Sequence, residues 1–252
     1  MTGYDLATHE GVNEKGLSAH ILYLAGVCDY GKRDPKLEGI GVTQWVQYFL
    51  DNYATVAESV EAQKTFAFQI DSLILPNGFP TLVHISLSDK SGDSAVIEYV
   101  AGKAKVYHDR RFTVMTNEPT YDKQIENLKQ YRTFGGNKML PGERTPTDRF
   151  VRAAYCREPS EALHPRRRGG IHVQRDPQRV GPLPAPNPDP KRPNVSSTIF
   201  RSVQDLTGGR LLREHVRSQC GVDRHHQARL QQGNRDGIEG RKGDLQTQRR
   251  RD

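Results

Sequence analysis

Aromatic residues are nearly absent from the last third of this 252-residue chain. Of its 19 Phe, Trp and Tyr residues, only Phe200 lies beyond residue 160. The overall apolar content of 35% is also low, since ordinary globular chains reach about 45–50% when Gly is included. A segment with one aromatic residue builds little hydrophobic core. We therefore predict a folded domain over residues 1–160 and a disordered tail over residues 161–252.

Long apolar runs and paired cysteines are missing as well. No stretch of eighteen apolar residues exists, which excludes a membrane-spanning helix. The first ten residues, MTGYDLATHE, are neither basic nor apolar enough for a signal peptide. The three cysteines, Cys28, Cys156 and Cys220, are too scattered for a disulfide framework or a structural zinc site. The sequence thus predicts no metal, no cofactor and no membrane partner.

Charge is divided unevenly along the chain. Residues 1–160 contain 18 Lys and Arg against 20 Asp and Glu, whereas residues 161–252 contain 19 against 10. An arginine-rich, proline-rich tail of this kind could bind nucleic acid in a salt-dependent way. It lacks the interleaved aromatic residues on which bases stack. We therefore treat nucleic-acid binding as incidental, although it stays open as an alternative function.

Hydrophobic periodicity predicts a mixed α and β domain in the first part of the chain. A buried strand is predicted over 20–27, and two helices follow, beginning at Thr43 and Thr55 and separated at Asp51-Asn52. The next segments read as a four-stranded antiparallel meander over 81–89, 94–102, 103–109 and 111–117. Helices are predicted over 119–132 and 145–156, the latter capped by Thr145 or Thr147. This order indicates an α+β layered fold.

Five segments then carry a resemblance to a known family. In chain order they are GVNEKGLSAHILYL (11–24), TQWVQYFLDNYATVAESVEA (43–62), HISLSDKSGDSAVIEYVAGKAKVYH (84–108), VMTNEPTYDKQIENLKQY (114–131) and LPGERTPTDRFVRAAY (140–155). Together they resemble the choloylglycine hydrolase and penicillin V acylase family.

The resemblance implies a fold, an activity and partners. The fold is a four-layer αββα N-terminal-nucleophile hydrolase sandwich, incomplete in this chain. The reaction is hydrolysis of a linear non-peptide amide: a conjugated bile salt, a phenoxyacetyl penicillin or an acyl-homoserine lactone. The nucleophile is a processed N-terminal cysteine whose own α-amine, with a pKa of about 7.7–8.0, accepts the thiol proton. Intact members are often homotetramers, and the bacterial cytoplasm and periplasm both stay open as locations.

Three residues match the family's active-site positions. Asn117, in T-N-E-P, matches the asparagine of the oxyanion hole. Tyr23 stands where the family places its second oxyanion donor, and a tyrosine there is more typical of penicillin V acylases. Arg149, in D-R-F-V-R, matches the active-site arginine that orients the cysteine region. Without the motifs, the same residues would read as a turn residue, a core residue and a surface ion-pairing residue.

Other polar residues of the domain have simpler explanations. His84 and His108 are interpreted as strand residues without a catalytic role. Asp89 and Asp93 are interpreted as turn residues rather than metal ligands.

The family's nucleophile has no counterpart among these residues. Only ten residues precede Gly11, and none is cysteine, so Met1 is interpreted as an internal start. Cys28 and Cys156 are internal, with their amines in peptide bonds. We therefore expect the 252-residue polypeptide to be catalytically incompetent.

The tail departs from the family in a second way. Residues 184–207 are similar to it, whereas the flanking segments are rich in Arg, Gly and Gln. Both flanks can be encoded so that the frame one nucleotide onward gives apolar, family-like strings. Our hypothesis is a frameshift in each flank. A remnant without any activity is the third possibility.

Overall fold

The computed structural model describes residues 7–65, 68–75, 78–157, 171–172, 200–208 and 210–215. Ten strands and four α-helices occur within these ranges. In chain order they are β1 (Glu10–Val12), β2 (Ser18–Tyr23), β3 (Glu38–Gly41), α1 (Trp45–Asn52), α2 (Val56–Lys64), β4 (Phe68–Asp71), β5 (Val83–Ser88), β6 (Ser94–Val100), β7 (Lys103–His108), α3 (Tyr121–Leu128), α4 (Pro146–Arg157), β8 (Ile171–His172), β9 (Phe200–Asp205) and β10 (Arg210–His215). A short 3-10 helix also lies at Arg132–Phe134.

The largest sheet has five antiparallel strands in the order β1-β2-β5-β6-β7. Strand β2 pairs with β5 so that Tyr23 lies opposite Val83. Strands β3 and β4 form a small parallel pair, and β8, β9 and β10 form a separate antiparallel sheet. The central position of β5 places it between the strand that ends at Tyr23 and the strand β6, which contacts α3.

The two faces of the five-stranded sheet bury different side chains, because successive residues of a strand point to opposite sides. On one face, Ile85 and Ile97 belong to a large core that includes residues of α1 and α2. Trp45 of α1 packs edge-on against Tyr99, with ring centroids 5.8 Å apart. On the other face, Val96 joins a smaller core formed with residues of α3 and α4.

Two helix starts follow the predicted caps, whereas α1 begins at Trp45 and not at Thr43, after a residue, Gln44, that makes no side-chain cap. The side chain of Thr55 accepts a hydrogen bond from the backbone N–H of Glu58 at 3.2 Å. Thr145 does the same for Asp148 at 3.2 Å, so Thr145 and not Thr147 is the cap of α4. Both bonds satisfy donors that the first turn of a helix leaves without partners.

The N-E-K-G motif forms a turn that ties the sheet to α1. Asn13 donates to the backbone oxygens of Leu50 (2.9 Å) and Tyr53 (2.7 Å), and its own oxygen accepts from the N–H groups of Lys15 and Leu17. Gly16 has a φ of +87°, and a Cβ there would lie 2.7 Å from the Leu206 carbonyl oxygen. The motif is therefore explained by backbone geometry at this turn.

Two of the predicted strands are wrong, one in its extent and one in its existence. The predicted strand over 20–27 ends at Tyr23, because Cys28 N–H bonds the Leu24 carbonyl at 2.9 Å and closes a turn at Gly26. No strand forms over 111–117, since Phe112 N–H bonds the Asp109 carbonyl instead of a neighbouring strand. Apolar side chains of this segment pack into the smaller core. They are Phe112, Val114 and Met115.

The predicted tail contributes a hairpin to the described structure. Strands β9 and β10 pair along their whole length, and Ser202 donates to Glu10 at 2.6 Å. Ser18 also bonds Gln204 across the same contact. The remainder of 161–252, including most of 184–207 and of both flanks of the frameshift hypothesis, lies outside the described residues. The division at residue 160 stays a prediction.

Candidate oxyanion site

Asn117 lies in the segment between β7 and α3, directly before a cis peptide bond that joins Glu118 to Pro119. Its side-chain amide is half-buried and bonded at both ends. The nitrogen Nδ2 donates to the backbone oxygen of Tyr23 at 2.9 Å. The oxygen Oδ1 accepts from Nη2 of Arg149 at 2.7 Å. The structure thus brings together the three residues predicted from the sequence, which lie at the end of β2, in the segment before α3 and on α4.

Tyr23 contributes its backbone to this contact. It is the last residue of β2, and its half-buried side chain packs against the larger core. The observed group that faces Asn117 is the Tyr23 carbonyl, which acts as an acceptor. The donor role predicted for Tyr23 stays a prediction.

Arg149 lies in the first half of α4 and reaches back over the Asn117 segment. Its Nε donates to the Arg144 carbonyl at 3.3 Å, which fixes the guanidinium plane from the loop before the helix. Burial lowers the pKa of Arg149, and nearby Arg152 acts in the same direction, whereas Glu118 acts against them. A guanidinium starts from so high a pKa that it stays charged in proteins. Asn117 therefore faces a permanent cation.

The arrangement prepares Asn117 to donate to a negative oxygen. A primary amide has two N–H donors, and one of them is used by Tyr23. Among the residues that the structure describes, no acceptor is bonded to the second N–H. Because Arg149 is bound to Oδ1, the amide cannot rotate its oxygen into that position without losing a charge-assisted bond. A fixed donor of this kind stabilises the charge that develops on a carbonyl oxygen during acyl transfer.

The backbone around Asn117 is held from two helices. Gln124 of α3 is almost fully buried, and its Nε2 lies within 3.4 Å of the oxygens of Asn117, Glu118 and the Thr116 side chain. Thr116 in turn donates to the Pro146 carbonyl at the start of α4 at 3.0 Å. Sequence reasoning missed Gln124, because a glutamine on a mostly polar helix shows no pattern that marks it as buried.

Comparison with known proteins assigns the chain to a family. Residues 3–171 match the family described as linear amide C–N hydrolases, choloylglycine hydrolase family. The chain belongs to the choloylglycine hydrolase family. A penicillin V acylase of Pectobacterium atrosepticum is 39% identical over 215 residues, which cover 79% of this chain and 56% of that protein. A bile salt hydrolase/transferase of Clostridium perfringens is 33% identical over 173 residues, which cover 59% of this chain and 51% of that protein.

Solved structures of choloylglycine hydrolase family members have the same fold. Penicillin V acylase from Agrobacterium tumefaciens superposes with a TM-score of 0.67 at 37% identity, over 85% of this chain and 64% of that chain. A variant of conjugated bile acid hydrolase from Clostridium perfringens gives 0.65 at 25% identity, over 83% and 70%. The predicted α+β fold of an N-terminal-nucleophile hydrolase is confirmed by these neighbours. The chain spans about half the length of the curated relatives it matches.

Two of the cysteines of this family member lie within the described residues. Cys28 is buried beside β5, where its thiol lies 3.5 Å from the Val83 carbonyl. Burial raises the pKa of Cys28 to about 11, which keeps the thiol protonated and unreactive at neutral pH. Cys156 is half-buried on α4, and Cys220 lies outside the described residues.

Neither a metal cluster nor a membrane span is found in the described part of the chain. No group of three or more His, Cys, Asp and Glu side chains there is arranged to hold a metal ion. No helix within the described ranges is long and apolar enough to cross a bilayer. Asp89 and Asp93 are turn residues as predicted: Asp89 accepts from Ser91, and Asp93 is paired with His108 at 2.8 Å.

Proposed function

We propose that Asn117, Arg149 and Tyr23 form the oxyanion-binding part of an enzyme that hydrolyses linear non-peptide amides. The single observation that carries the proposal is the Asn117 side chain, bonded at Oδ1 by a cation and with one N–H that no described residue accepts. The substrate class is a conjugated bile salt or a penicillin V type amide, with acyl-homoserine lactones as a third candidate. Identity to a penicillin V acylase and to a bile salt hydrolase supports the first two.

The family implies a cysteine nucleophile that carries its own base. In that scheme a thiolate attacks the amide carbonyl, and the C–N bond breaks as the amine leaves with a proton. Water then hydrolyses the resulting thioester and regenerates the thiol. Asn117 would donate to the oxygen of both tetrahedral intermediates, and Tyr23 would supply the second donor. The family's homotetrameric assembly belongs to this proposal as well.

The 252-residue polypeptide is proposed to bind such amides without cleaving them. Cys28 is buried, has a raised pKa and lies within the chain, so its amine cannot act as the base. Cys156 and Cys220 are likewise internal residues. No cysteine of the polypeptide therefore combines a thiolate with a free α-amine.

Two measurements on the purified polypeptide test this function. Release of 6-aminopenicillanic acid from penicillin V, or of glycine from glycocholate, is measured first, with a penicillin V acylase as the positive control. Turnover by the polypeptide alone would show that the expected lack of catalytic activity is wrong. Binding of both compounds is then measured by calorimetry, and saturable binding to the unmodified polypeptide is the expected result.

Asn117→Asp is the informative variant for the binding measurement. It keeps an acceptor for Arg149, removes both N–H donors and places negative charge where a substrate oxygen would lie. We expect binding at least about tenfold weaker, because a buried charge left opposite an acceptor costs more than one kcal/mol. Asn137→Ala, in an exposed loop, is the matched control and should bind like the unmodified chain. Failure to bind either compound, or equal binding by both variants, would overturn the proposed site.

A second candidate function rests on the arginine-rich tail alone. Its 17 arginines beyond residue 160 favour weak, salt-dependent binding of polyanions. An electrophoretic mobility shift of an oligonucleotide that is present at low salt and lost at high salt would support binding of polyanions by the tail. A shift that persists at high salt and depends on base sequence would show that the binding is more than incidental.

A further inference from the structure

Glu98 of β6 is a fully buried carboxylate in the five-stranded sheet. Its solvent exposure is 0%, and it stands in the otherwise apolar run AVIEYV. A charge in the interior is costly unless several hydrogen bonds compensate it. Both of its oxygens accept from the backbone N–H of Tyr121, at 3.1 and 3.0 Å. Oε1 also accepts from Nδ1 of His84 at 3.0 Å.

The bond to Tyr121 fixes where α3 begins. Tyr121 is the first residue of α3, and the residue before it, Thr120, makes no side-chain cap to the helix backbone. Helix starts need acceptors for their first N–H groups, and negative charge is favoured there by the helix dipole. Glu98 supplies both from a neighbouring strand. The first N–H of α3 is therefore bonded to the sheet.

Helix α3 in turn holds the Asn117 segment. Gln124, one turn into the helix, donates to the backbone oxygens of Asn117 and Glu118 at 3.4 and 3.3 Å. Its side chain is 1% exposed, so solvent does not replace these bonds. A displacement of the first turn of α3 would move Gln124 and, with it, the backbone of Asn117.

His84 links the Glu98–Tyr121 contact to β2, where Tyr23 accepts from Asn117. It lies on β5 at the position opposite Leu22, next to the Tyr23–Val83 pair. His84 is 1% exposed, and its ring nitrogen Nδ1 holds Oε1 of Glu98. Strand β5 therefore carries both the support of Glu98 and the pairing of Tyr23. Both partners of the Asn117–Tyr23 bond are therefore positioned by the same sheet. Tyr23 is held by its pairing with β5, and Asn117 is held through Glu98 and α3.

We propose that Glu98, oriented by His84, is a positioning residue that sets the place of the Asn117 amide through the Tyr121 N–H and α3. This rests on the proposed function only in giving the Asn117 amide its purpose as an oxyanion donor. The juxtaposition itself is one of distances and burial. The sequence signal for Glu98 is an acidic residue at an inward position of an apolar strand.

The test follows the Asn117 side-chain NH2 resonances of the ²H,¹⁵N-labelled polypeptide by NMR. The pair is assigned by its disappearance in Asn117→Asp. In Glu98→Ala we expect the chemical shifts of the Asn117 pair to move towards those of the exposed Asn137 pair. We also expect the Asn117 NH2 group to exchange with water about tenfold faster, because its segment opens more easily. Glu98→Gln should restore most of the original position, since an amide oxygen still accepts from Tyr121 and its NH2 can face His84.

A stability control separates positioning from general loosening. Val56→Ala removes buried volume from α2, which packs in the larger core on the opposite face of the sheet. It should destabilise the fold and leave the Asn117 pair where it is. If Val56→Ala moves that pair as far as Glu98→Ala does, or if Glu98→Ala leaves it unchanged in an otherwise native spectrum, the proposal is wrong.

A second variant covers the case in which Glu98→Ala does not fold. His84→Ala keeps the carboxylate and removes only its orienting partner, so the Asn117 pair should move in the same direction by a smaller amount. If Glu98→Ala does not fold, no movement of the Asn117 pair in His84→Ala would overturn the proposal. None of these measurements needs turnover or substrate. A failed amide-binding experiment would therefore reject the proposed function and leave the positioning of Asn117 to be decided by NMR.

Discussion

Nη2 of Arg149 donates to Oδ1 of Asn117 over 2.7 Å, which leaves the Asn117 NH2 group only one direction in which to point. That direction contains the end of β2, where the Tyr23 carbonyl accepts one of its two N–H groups. The bond joins residues 32 positions apart on α4 and on the segment before α3. The orientation of the Asn117 amide thus depends on where α4 places Arg149. Substitutions of Arg149 should therefore change the environment of the Asn117 side chain.

Replacing Arg149 should destabilise the fold and release Asn117. In Arg149→Ala the half-buried Oδ1 loses its only donor among the described residues, and leaving such a group unpaired costs about 1–3 kcal/mol. Arg149→Lys keeps the charge but not the planar geometry, so we expect an intermediate loss. Urea unfolding measures the free energy of unfolding of both variants.

Arg157→Ala provides the matched control on the same helix. Arg157 is exposed, and within the described part of the chain its side chain makes one long hydrogen bond, at 3.4 Å to Thr113. Its removal should change the free energy of unfolding by less than about 0.5 kcal/mol. Equal losses in Arg149→Ala and Arg157→Ala would contradict the role given to Arg149.

The sequence motifs pointed to three residues that the structure brings together, but not to the groups that hold them. Asn117, Arg149 and Tyr23 were identified because each stands in a motif with a fixed order of neighbours. Glu98 and Gln124 act through long-range contacts, from a strand to a helix start and from a helix to a loop. His84 was interpreted as a strand residue without a catalytic role, and its contact with Glu98 was not predicted, because periodicity places a side chain on a face and does not show what it meets there.

The same limit explains the errors in the strands. The apolar residues at 112–115 have a composition typical of a strand. The chain nevertheless leaves the sheet after β7, and these residues cover the smaller core. The short strands β1, β3 and β4 were not predicted, since three or four residues carry too little periodicity. The hairpin of β9 and β10 was not predicted either, because it lies in the tail, which has only one aromatic residue. Composition gave no sign that Ser202 and Gln204 would contact the sheet.

Asn13 should be among the most sensitive polar residues of the domain. Its side chain makes four hydrogen bonds, two to the end of α1 and two within its own turn. Asn13→Ala should lower the free energy of unfolding by about 2–4 kcal/mol, since several bonds are lost together. Asn13→Asp keeps the acceptor and should cost less at acidic than at neutral pH, where its charge would face the carbonyls of Leu50 and Tyr53. Thermal unfolding at both pH values measures this, and equal losses in the two variants at neutral and acidic pH would contradict it.

Asp89 should make the stability of the fold depend on pH below 4. Burial works to raise the pKa of Asp89, but hydrogen bonds from Ser91 and from the N–H of Val56 outweigh it and lower the pKa below its usual value of 3.8. A carboxylate with a lowered folded pKa stabilises the fold above its unfolded pKa. That contribution is lost as pH falls through the folded value. Asp89→Asn should therefore lower the free energy of unfolding by about 1–3 kcal/mol at pH 7, and the difference from the unmodified chain should shrink as pH falls below 3.8.

The control for this pH dependence is Asp51→Asn. Asp51 is exposed on α1 and bonded to Gln47. Its variant should differ little from the unmodified chain at any pH, because exposed pairs contribute little. A gap between Asp89→Asn and the unmodified chain that stays constant from about pH 7 to about pH 2.5 would show that the charge of Asp89 does not stabilise the start of α2.

Cys28 should resist alkylation in the folded chain, which tests directly whether it could replace a catalytic thiol. With its pKa raised to about 11, only about one molecule in a thousand carries the thiolate at pH 8, and the side chain is also buried. Iodoacetamide followed by peptide mapping should therefore label Cys156 and leave Cys28 unmodified, whereas labelling in urea should modify all three cysteines of the chain. Since only the thiolate attacks a carbonyl, a Cys28 that reacted in the folded state as fast as in urea would reopen it as a nucleophile and remove the main physical reason for expecting binding without turnover.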